Sequence, residues 1–211
     1  MLEVINEECD RLNRFIEGLV ELARIEAGEF RLRRRWGTIE EMVEMALGRA
    51  KKLTDQHRVE VEIEHDLPVV LVDARAVSEV IYTLVENAAK YSAAGTLIHI
   101  TGSLAKNDMI RASVEDRGPG IPVDLRERVF DKFFRAIRDG DSNRSQPSGT
   151  GMGLAIARGI VEAHSGRIWI ESGAGGLGTR VVFTLPIGDE EENAGTQVTV
   201  LDEPSYARAQ E

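Results

Sequence analysis

The sequence has little cysteine, few aromatic residues and no long hydrophobic run. Cys9 is the one cysteine among 211 residues, so the chain cannot form an internal disulfide and suits a reducing compartment. No apolar stretch approaches the roughly 18 residues that a membrane-spanning helix needs, and no signal peptide is visible. These absences predict a soluble, cytoplasmic chain and are compatible with the cytoplasmic part of a membrane-bound protein.

The charge balance is acidic. With 26 Lys and Arg against 36 Asp and Glu, the formal net charge is -10, which argues against a general role in binding nucleic acids or membrane surfaces. The hydrophobic fraction of 42% is ordinary for a globular protein. The length predicts one domain of good size plus a smaller element.

Residues 1–30 are predicted to form the smaller element, a long helical stem. Hydrophobic residues recur at steps of four and three, which is typical of a helix that packs against other helices. Because the helix extends on the order of 39 Å at 1.5 Å per residue, we expect it to pair with other helices in a bundle rather than lie on a small domain. The repeating positions are Ile5, Cys9, Leu12, Ile16, Leu19 and Ala23, with Phe15 and Leu22 beside them.

Residues 38–187 are predicted to form the main domain, after a solvated, arginine-rich linker at 31–37. Thr38, followed by Glu41, predicts the capped start of a helix. A short buried strand is predicted to end at Asp73 and to be followed by a helix at about 74–91, and two hairpins are predicted with turns at "AKND" and "GAGGLG". Helical and strand patterns thus follow one another without a regular β-α repeat. We therefore expect an α+β fold, a two-layer α/β sandwich of a mixed β-sheet with helices on one face. Residues 188–211 form an acidic C-terminal tail that we expect to be mobile.

The segment "SGTGMGLAIARGIVEAHSG", residues 148–166, places three glycines directly before an apolar helical pattern. Two familiar nucleotide motifs are excluded. The dinucleotide fingerprint needs a preceding strand and a third glycine where Leu154 stands, and the P-loop needs a Lys-Ser/Thr pair. A glycine-rich loop at a helix N-terminus, where N–H groups lack partners, is suited to binding an anion. An ordinary glycine-rich loop remains the alternative.

Two further segments carry polar side chains beside apolar ones. "EVIYTLVENAAKYS" makes Asn87 and Lys90 neighbours on a helix with an apolar face. A buried amide needs a partner, and a metal-bound phosphate is one; a helix-end Asn that binds backbone is the alternative. In "VEDRGPGIP", Asp116 ends a strand beside Gly118 and Gly120. An acceptor there suits an exocyclic amine such as that of adenine, and an Asp-led turn is the alternative.

The segment "RVFDKFFRA" places Phe130, Phe133, Phe134 and Arg135 ahead of a polar loop with several basic residues. Aromatic anchors followed by cations are typical of a lid over phosphates. A short amphipathic helix in the core is the alternative, and Phe130 fits that alternative.

In this order, the four segments resemble the ATP-binding catalytic domain of bacterial sensor histidine kinases, within the superfamily shared with DNA gyrase, MutL and related chaperones. "ENAAKYS" is similar to the N box, "EDRGPGIP" to the first glycine box, "VFDKFFR" to the F box and "GTGMGLAIARGIVEAHSGRIWIES" to the second glycine box. The stem resembles the second helix of the dimerisation and phosphotransfer domain. The run from "RIEAG" through "IEEMV" resembles potassium-responsive sensor kinases most. The resemblance implies the Bergerat ATP-binding fold.

The resemblance also implies ATP and Mg²⁺ as ligands. Asp116 would accept a hydrogen bond from the adenine amino group, Asn87 would ligate Mg²⁺, and Lys90 would approach the phosphates. Backbone N–H groups of the second glycine box would hold the phosphates. The other implied ATP-binding residues are Tyr91, Gly118, Gly120, Ile121, Phe133, Arg135, Gly149, Thr150, Gly151, Met152, Gly153 and Leu154, with Arg144 as a further lid candidate.

The chain departs from the family pattern at two places. Thr83 stands where sensor kinases carry a second Asn, which leaves the Mg²⁺ affinity open. Gyrase-like ATPases have a water-activating Glu there, and a threonine hydroxyl cannot act as that base at neutral pH. The phosphoacceptor His, expected before an acidic residue and a Pro on a preceding helix, has no counterpart. The histidines present are all predicted to be structural or exposed: His57, His65, His99 and His164.

We therefore expect a histidine kinase fragment that has no catalytic phosphoacceptor of its own, binds ATP and does not autophosphorylate. Its implied partners are the missing phosphoacceptor helix, a response regulator and, in the full-length protein, a second copy in a homodimer. One alternative is an interaction module that binds nucleotide without turnover and modulates a partner kinase. A serine kinase of the anti-sigma type shares the ATP fold but lacks such a stem, so residues 2–27 argue against it.

Overall fold

The computed structural model describes residues 2–29, 31–135 and 150–188. Its helices are α1 (Leu2–Glu26), α2 (Ile39–Thr54), α3 (Ala74–Tyr91) and α4 (Gly153–Ala163). Its strands are β1 (Arg35–Gly37), β2 (Arg58–Ile63), β3 (Val70–Val72), β4 (Leu97–Ala105), β5 (Met109–Glu115), β6 (Ile168–Ser172) and β7 (Thr179–Pro186). Most of the predicted lid loop, with Arg144 and Gly149, and the predicted tail beyond Gly188 lie outside the described residues.

Five strands form one mixed sheet in the order β2-β4-β5-β7-β6. β2 pairs with β4 in parallel, and the other three pairs are antiparallel. Two of these are the predicted hairpins, β4 with β5 through "AKND" and β6 with β7 through "GAGGLG". The α+β fold class is therefore confirmed.

One face of the sheet packs against α2, α3 and α4 and forms the core. Side chains in a strand alternate between the two faces, so in β4 Ile98 and Ile100 are buried while His99 and Thr101 are partly exposed. The stripe that α3 contributes is almost fully buried: Val77, Val80, Ile81, Leu84, Val85 and Ala88. This burial holds α3, which carries two of the predicted site residues, in a fixed position on the sheet.

Side chains cap the starts of α2 and α3. Thr38 Oγ1 accepts a 3.3 Å hydrogen bond from the Glu41 N–H, and Glu41 Oε2 accepts one of 3.3 Å from the Thr38 N–H. This is the predicted capping box, which satisfies two N–H groups at a helix start. Asp73 Oδ1 accepts hydrogen bonds from the N–H groups of Arg75 and Ala76 and so caps α3.

Part of the predicted linker at 31–37 is a strand. β1 pairs antiparallel with β3, with Arg35 opposite Val72 and Gly37 opposite Val70. The pairing satisfies backbone groups of both segments, and Val70 and Val72 are fully buried. Arg35 and Trp36 are exposed, as a solvated connector would be. The backbone pairing was not predicted, because a run of arginines does not reveal a partner segment more than thirty residues away.

α1 packs against α4 along the side of the helix that carries Leu22, next to the repeating hydrophobic positions. A Cβ on Gly18 would lie 3.0 Å from Met152 Cε, and Leu22 is buried against the same methionine. The stem therefore does lie on the domain, contrary to the expectation, because Gly18 allows a close approach. The predicted seam stays open, with exposures of 58% at Leu12, 50% at Ile16 and 45% at Leu19. Among the helices described, α1 included, none is long and apolar enough to cross a membrane.

Candidate functional site

Asp116 follows β5 directly and is nearly enclosed, at 8% exposure. Its Oδ1 accepts hydrogen bonds from the N–H groups of Gly118 (2.7 Å) and Thr179 (3.2 Å). Burial raises the pKa of Asp116 above its ordinary value, because these hydrogen bonds offset the loss of water only in part. The carboxylate is thus held in one orientation by backbone groups.

Three glycines let the backbone approach Asp116 closely. A Cβ on Gly118 would lie 2.7 Å from the carbonyl oxygen of Tyr91 at the end of α3. Gly120 has a φ of +73° and contacts Gly178, which has a φ of +75° and where a Cβ would lie 1.9 Å from the Asp116 carbonyl oxygen. Space and backbone conformation both favour glycine at the last two positions. The turn that follows Asp116 (the aspartate turn), the end of α3 and the β6–β7 turn therefore meet around Asp116.

The sequence did not indicate that the β6–β7 turn forms one side of the site around Asp116. Glu115, at 3% exposure, accepts a 2.9 Å hydrogen bond from the Ala174 N–H and one of 2.7 Å from Arg180 Nε. Burial opposes its ionisation, but these hydrogen bonds and the Arg180 charge outweigh burial and lower the pKa of Glu115. Glu115 therefore ties the β6–β7 turn to β5 next to Asp116. The available signal was the glycine-rich run "GAGGLGT", which by itself indicates only a turn.

One row of side chains on α3 connects the two ends of the site. Thr83, Asn87 and Tyr91 are spaced four apart and so lie on one face of the helix. Tyr91 is the neighbour of Gly118, while a Cβ on Gly153 would lie 3.0 Å from the Thr83 methyl carbon. The half-buried Asn87 lies between these two contacts. The row therefore extends about 12 Å along the helix, from the aspartate turn to the start of α4.

Lys90 and Ile121 flank this row. Lys90 Nζ lies 5.0 Å from the centre of the Tyr91 ring, a cation–π contact. Tyr91 is 46% exposed, whereas Ile121 is partly buried against the core. Lys90 thus lies over the ring, and its contact with phosphates stays a prediction.

α4 begins without a side-chain cap. Its first intrahelical hydrogen bond runs from the Ile156 N–H to the Met152 carbonyl, at 2.9 Å. The N–H groups of Gly153 and Leu154 precede that bond, so they have no acceptor within the helix. Thr150 Oγ1 accepts from the Met152 N–H at 3.4 Å, just outside the helix. Such a helix start, with N–H groups and the positive end of the helix dipole, is suited to binding an anion.

The two large side chains of the glycine box are engaged elsewhere. Met152 is 1% exposed and packs with Leu22 of the stem and with Ala155. Leu154 packs against the main core. The box therefore offers a ligand its backbone rather than these side chains.

The aromatic segment is joined to the glycine box. The Phe133 N–H donates a 2.9 Å hydrogen bond to the Gly151 carbonyl, and both residues have positive φ, +61° and +71°. The Phe133 ring is 52% exposed, and its centre lies 6.3 Å from that of Phe15 in the stem. Phe130 is buried in the core at 4% exposure, which agrees with the alternative that it is a core residue rather than part of a lid. Arg135 is exposed and is the last residue described before the lid loop.

The four histidines lie outside the candidate site. His57 follows α2 and His65 follows β2, while His99 lies in β4 and is partly exposed. His164 ends α4 and is 2% exposed. None of the four is at the aspartate turn or the start of α4.

The residues present fit a magnesium ion that arrives with a nucleotide. Among the residues that the structure describes, no cluster of three or more His, Cys, Asp or Glu side chains could hold a metal. Mg²⁺ usually binds through one or two protein oxygens together with substrate phosphates and water. The Asn87 amide could supply one such oxygen, on the same row as the contact with the start of α4.

The fold and the site together define a class of nucleotide-binding domain, in which one helix links an aspartate turn to a glycine-led helix start. Residues 72–189 match the family described as histidine kinase-, DNA gyrase B- and HSP90-like ATPases, and the chain belongs to this family. Within it, the chain is of the sensor histidine kinase type and contains the ATP-binding catalytic domain.

Its curated relatives are sensor kinases. Over 200 residues the chain is 34% identical to the sensor histidine kinase WalK of Bacillus subtilis, and the match covers 91% of this chain and 31% of WalK. Over 178 residues it is 33% identical to the sensor protein KdpD of Clostridium acetobutylicum, covering 83% of this chain and 19% of KdpD. The chain thus spans less than a third of the length of these relatives. Because the two identities are nearly equal, the resemblance to potassium-responsive kinases stays a prediction.

Solved histidine kinases share the fold. Full-length ShkA, in complex with AMPPNP, matches with a TM-score of 0.75 at 24% identity, over 87% of this chain and 37% of that one. The nucleotide-free catalytic domain of the histidine kinase ThkA matches with a TM-score of 0.61 at 26% identity, over 72% of this chain and 95% of that one. The ATP-binding fold implied by the sequence is therefore confirmed.

Proposed function

We propose that this chain is the catalytic part of a two-component sensor histidine kinase and transfers the γ-phosphate of ATP to a histidine outside residues 1–211. Its partners are the helix that carries this histidine, a response regulator and a second copy of the full-length protein. The division into stem 1–30, linker 31–37, catalytic domain 38–187 and tail 188–211 belongs to the same proposal. So does a cytoplasmic location.

The observation that carries the proposal is the row of Thr83, Asn87 and Tyr91 on α3. ATP has an adenine at one end and three phosphates at the other, so its site needs an amine acceptor, an anion-binding group and a metal ligand between them. Asp116 near Tyr91, the uncapped start of α4 near Thr83, and the Asn87 amide between them meet these three needs. An ordinary glycine-rich loop would account for only one of these three features.

In the proposed complex, Asp116 accepts a hydrogen bond from the adenine amino group. Gly118, Gly120 and Ile121 form the wall against which the base lies, and Tyr91 lies at its edge. Because Oδ1 of Asp116 already accepts two backbone N–H groups, the carboxylate meets the base without first losing rotational freedom. The site therefore recognises adenine by a preformed acceptor.

The phosphates bind the N–H groups at the start of α4, with Lys90 and Arg135 supplying positive charge. Mg²⁺, when bound through Asn87, neutralises phosphate charge. The bond between the γ-phosphorus and the oxygen of the ADP leaving group breaks, a phosphorus–nitrogen bond forms on the acceptor imidazole, and the imidazole gives up its proton. Catalysis rests on positioning and charge neutralisation. Thr83 cannot activate water as a base, which favours transfer over hydrolysis.

Two measurements test the proposal. Calorimetric titration with a non-hydrolysable ATP analogue, with and without Mg²⁺, is expected to show binding in the micromolar range typical of substrates, about 1–100 µM, that depends on the metal. The chain is then incubated with γ-labelled ATP and a separately prepared stem segment that carries the phosphoacceptor histidine. Label is expected on the stem segment and not on this chain.

Binding without transfer would favour the second candidate, an interaction module that holds nucleotide without turnover. Thr83 favours this second candidate. It stands where sensor kinases carry a second Asn, so one amide that could help to bind Mg²⁺ is missing. Absence of binding in a folded sample would contradict both candidates.

A further inference from the structure

Both ring nitrogens of His164 are used in hydrogen bonds. Nδ1 lies 2.8 Å from the Ile160 carbonyl oxygen, which can only accept, so Nδ1 carries the proton. Nε2 then accepts a 3.0 Å hydrogen bond from the Asp73 N–H. The neutral imidazole is the form that satisfies both partners, and at 2% exposure water does not replace either of them.

Asp73 extends this contact to the linker. Its Oδ1 caps the first turn of α3, and its Oδ2 accepts a 2.9 Å hydrogen bond from the Arg33 N–H. The Arg34 guanidinium donates a 3.1 Å hydrogen bond to the carbonyl of Ala163, the residue before His164. The start of α3, the end of α4 and the linker that leaves the stem are therefore tied together around one imidazole.

This tie lies at the far ends of the two helices that form the candidate ATP site. α4 carries Gly153 at its start and His164 just after its end, about 16 Å away along the helix. α3 carries Asp73 at its start and reaches the site with Thr83 and the residues after it. At the site end the two helices are already in tight contact, because a Cβ on Gly153 would lie 3.0 Å from the Thr83 methyl. A change of spacing at the His164 end therefore tilts the helices and alters this contact.

We propose that His164 is a positioning residue for nucleotide binding: it sets the spacing of α3 and α4 and, through Asp73, makes this spacing depend on the position of the linker. The proposal rests on the proposed function in one respect, that the nucleotide occupies the start of α4. His164 itself does not touch the nucleotide.

Two matched substitutions separate the two hydrogen bonds. In His164→Gln the side-chain oxygen reaches the place of Nε2 and accepts from the Asp73 N–H. In His164→Asn the shorter amide reaches only the place of Nδ1, so it donates to Ile160 and leaves Asp73 without an acceptor. Both variants keep a polar, uncharged side chain, and each keeps one of the two bonds: His164→Gln keeps the bond to Asp73 and loses that to Ile160, and His164→Asn does the reverse.

The first readout is affinity for a non-hydrolysable ATP analogue, measured on the full 211-residue chain. His164→Asn is expected to weaken binding about fivefold, a usual size for coupling between sites, and His164→Gln to stay within about twofold of wild type. Arg34→Ala, at an exposed position that does not endanger folding, removes the bond to Ala163 and is expected to weaken binding by a smaller factor.

The second readout needs no nucleotide. Amide hydrogen exchange is measured at Ile156 and Ser92, whose N–H groups bond to Met152 and Ala88 at the site end of α4 and α3. Both amides are expected to exchange faster in His164→Asn than in wild type or His164→Gln, because the helices separate more often.

The third readout is pH. A protonated imidazole cannot accept from the Asp73 N–H, and burial lowers the pKa of His164, so wild type is expected to lose more affinity than His164→Gln only as pH falls below the ordinary value of about 6.5 towards this lowered pKa. His164→Gln provides the baseline for titration of the nucleotide. The charged groups that face the ring are Arg34 of the linker, which opposes protonation, and Asp73 of α3, which favours it.

The outcomes separate the two proposals. If His164→Asn binds like wild type, or lowers the melting temperature without faster exchange at Ile156 and Ser92, His164 is a structural residue and the positioning proposal is overturned. If wild type does not bind the analogue, the proposed function fails, and the exchange comparison in the nucleotide-free chain still decides whether His164 sets the helix spacing.

Discussion

The N–H of Thr179 donates a 3.2 Å hydrogen bond to Oδ1 of Asp116 across 63 residues of sequence. The two residues meet because β5 and β7 are neighbours in the sheet and Asp116 follows one strand where Thr179 begins the other. With the Gly118 N–H on the same oxygen and the Thr179 side chain as a further hydrogen-bond partner, the carboxylate is held in one orientation. An amide oxygen at this position would accept the same bonds, which makes the charge of Asp116 separable from its structural role.

Asp116→Asn is expected to weaken ATP-analogue binding while the fold persists. The adenine amine loses a charged acceptor, which contributes about 1.5–3 kcal/mol in a hydrogen bond, so Kd rises roughly ten- to a hundredfold. Titration calorimetry measures Kd, and the melting temperature reports the fold. Asp124→Asn, on an exposed 3-10 turn, is the matched control and should leave both unchanged. An unaltered Kd in Asp116→Asn would remove this residue from the binding site.

Gly178→Ala is expected to destabilise the domain far more than Gly175→Ala. Both glycines have positive φ, +75° and +70°, which costs an alanine about 1–2 kcal/mol. In addition, a Cβ at Gly178 would lie 1.9 Å from the Asp116 carbonyl oxygen, whereas one at Gly175 meets nothing within 4 Å. Urea unfolding of the two variants measures the difference. Equal losses would mean that the β6–β7 turn relaxes away from Asp116 without cost.

Gly153→Ala is expected to lower the ATP-analogue affinity and, because it overpacks the contact between α3 and α4, the melting temperature. The new Cβ lies 3.0 Å from the Thr83 methyl carbon, so α3 and α4 must shift at the point where the phosphates bind. Overpacking of this kind costs about 1–3 kcal/mol of stability, and titration calorimetry measures how much the displaced contact also weakens binding.

Thr83→Ser supplies the control for this prediction, because it removes the methyl group and keeps the hydroxyl. The double variant is expected to recover most of the affinity that Gly153→Ala loses. If the double variant binds as weakly as Gly153→Ala alone, the loss does not come from the contact between these two residues.

The stability of the domain is expected to fall with pH below about 6.5, and His164 contributes to this fall. Burial, the largest cause, and the Arg34 charge lower the pKa of His164, and they outweigh the opposing effects of the Ile160 carbonyl and Asp73. Near pH 6.5 the unfolded chain therefore binds a proton at His164 that the folded chain does not bind. The free energy of unfolding consequently decreases as pH falls from about 6.5 to the lower pKa of His164 in the folded chain. Urea unfolding between pH 7.5 and 5.5 should show a shallower fall in His164→Gln. If wild type and His164→Gln lose stability in parallel as pH falls, His164 does not contribute to this pH dependence.

Local patterns predicted much of the fold. The capping box at Thr38, the helix that starts after Asp73 and the two hairpins are found where the sequence indicates them. Each depends on residues within one helix turn or one strand pair, where propensity and turn chemistry act directly. The order of the four boxes likewise indicated the family, because these motifs describe local backbone shapes.

Contacts between distant segments were not predictable in this way. The heptad pattern of the stem shows which residues could form a seam, but it does not show that Leu22, beside that seam, and Gly18 contact Met152 of the main domain. A run of arginines indicates exposed side chains, which Arg35 has, but it does not indicate that the backbone of Arg35 pairs with that of Val72. A histidine in an apolar helix looks structural, and its tie to Asp73 across 91 residues is visible only in three dimensions.

By itself, the sequence determined the elements and the chemical groups of the site: an aspartate after a strand, an asparagine on a helix, glycines before another helix. The tertiary structure alone decided that these groups lie along one row of α3, that Thr179 and Glu115 complete the aspartate turn, and that the linker binds the opposite ends of the same helices. The physical reason is that elements form from short-range propensity and patterning, whereas their mutual placement follows from how side chains of remote segments fill one core and satisfy each other's hydrogen bonds.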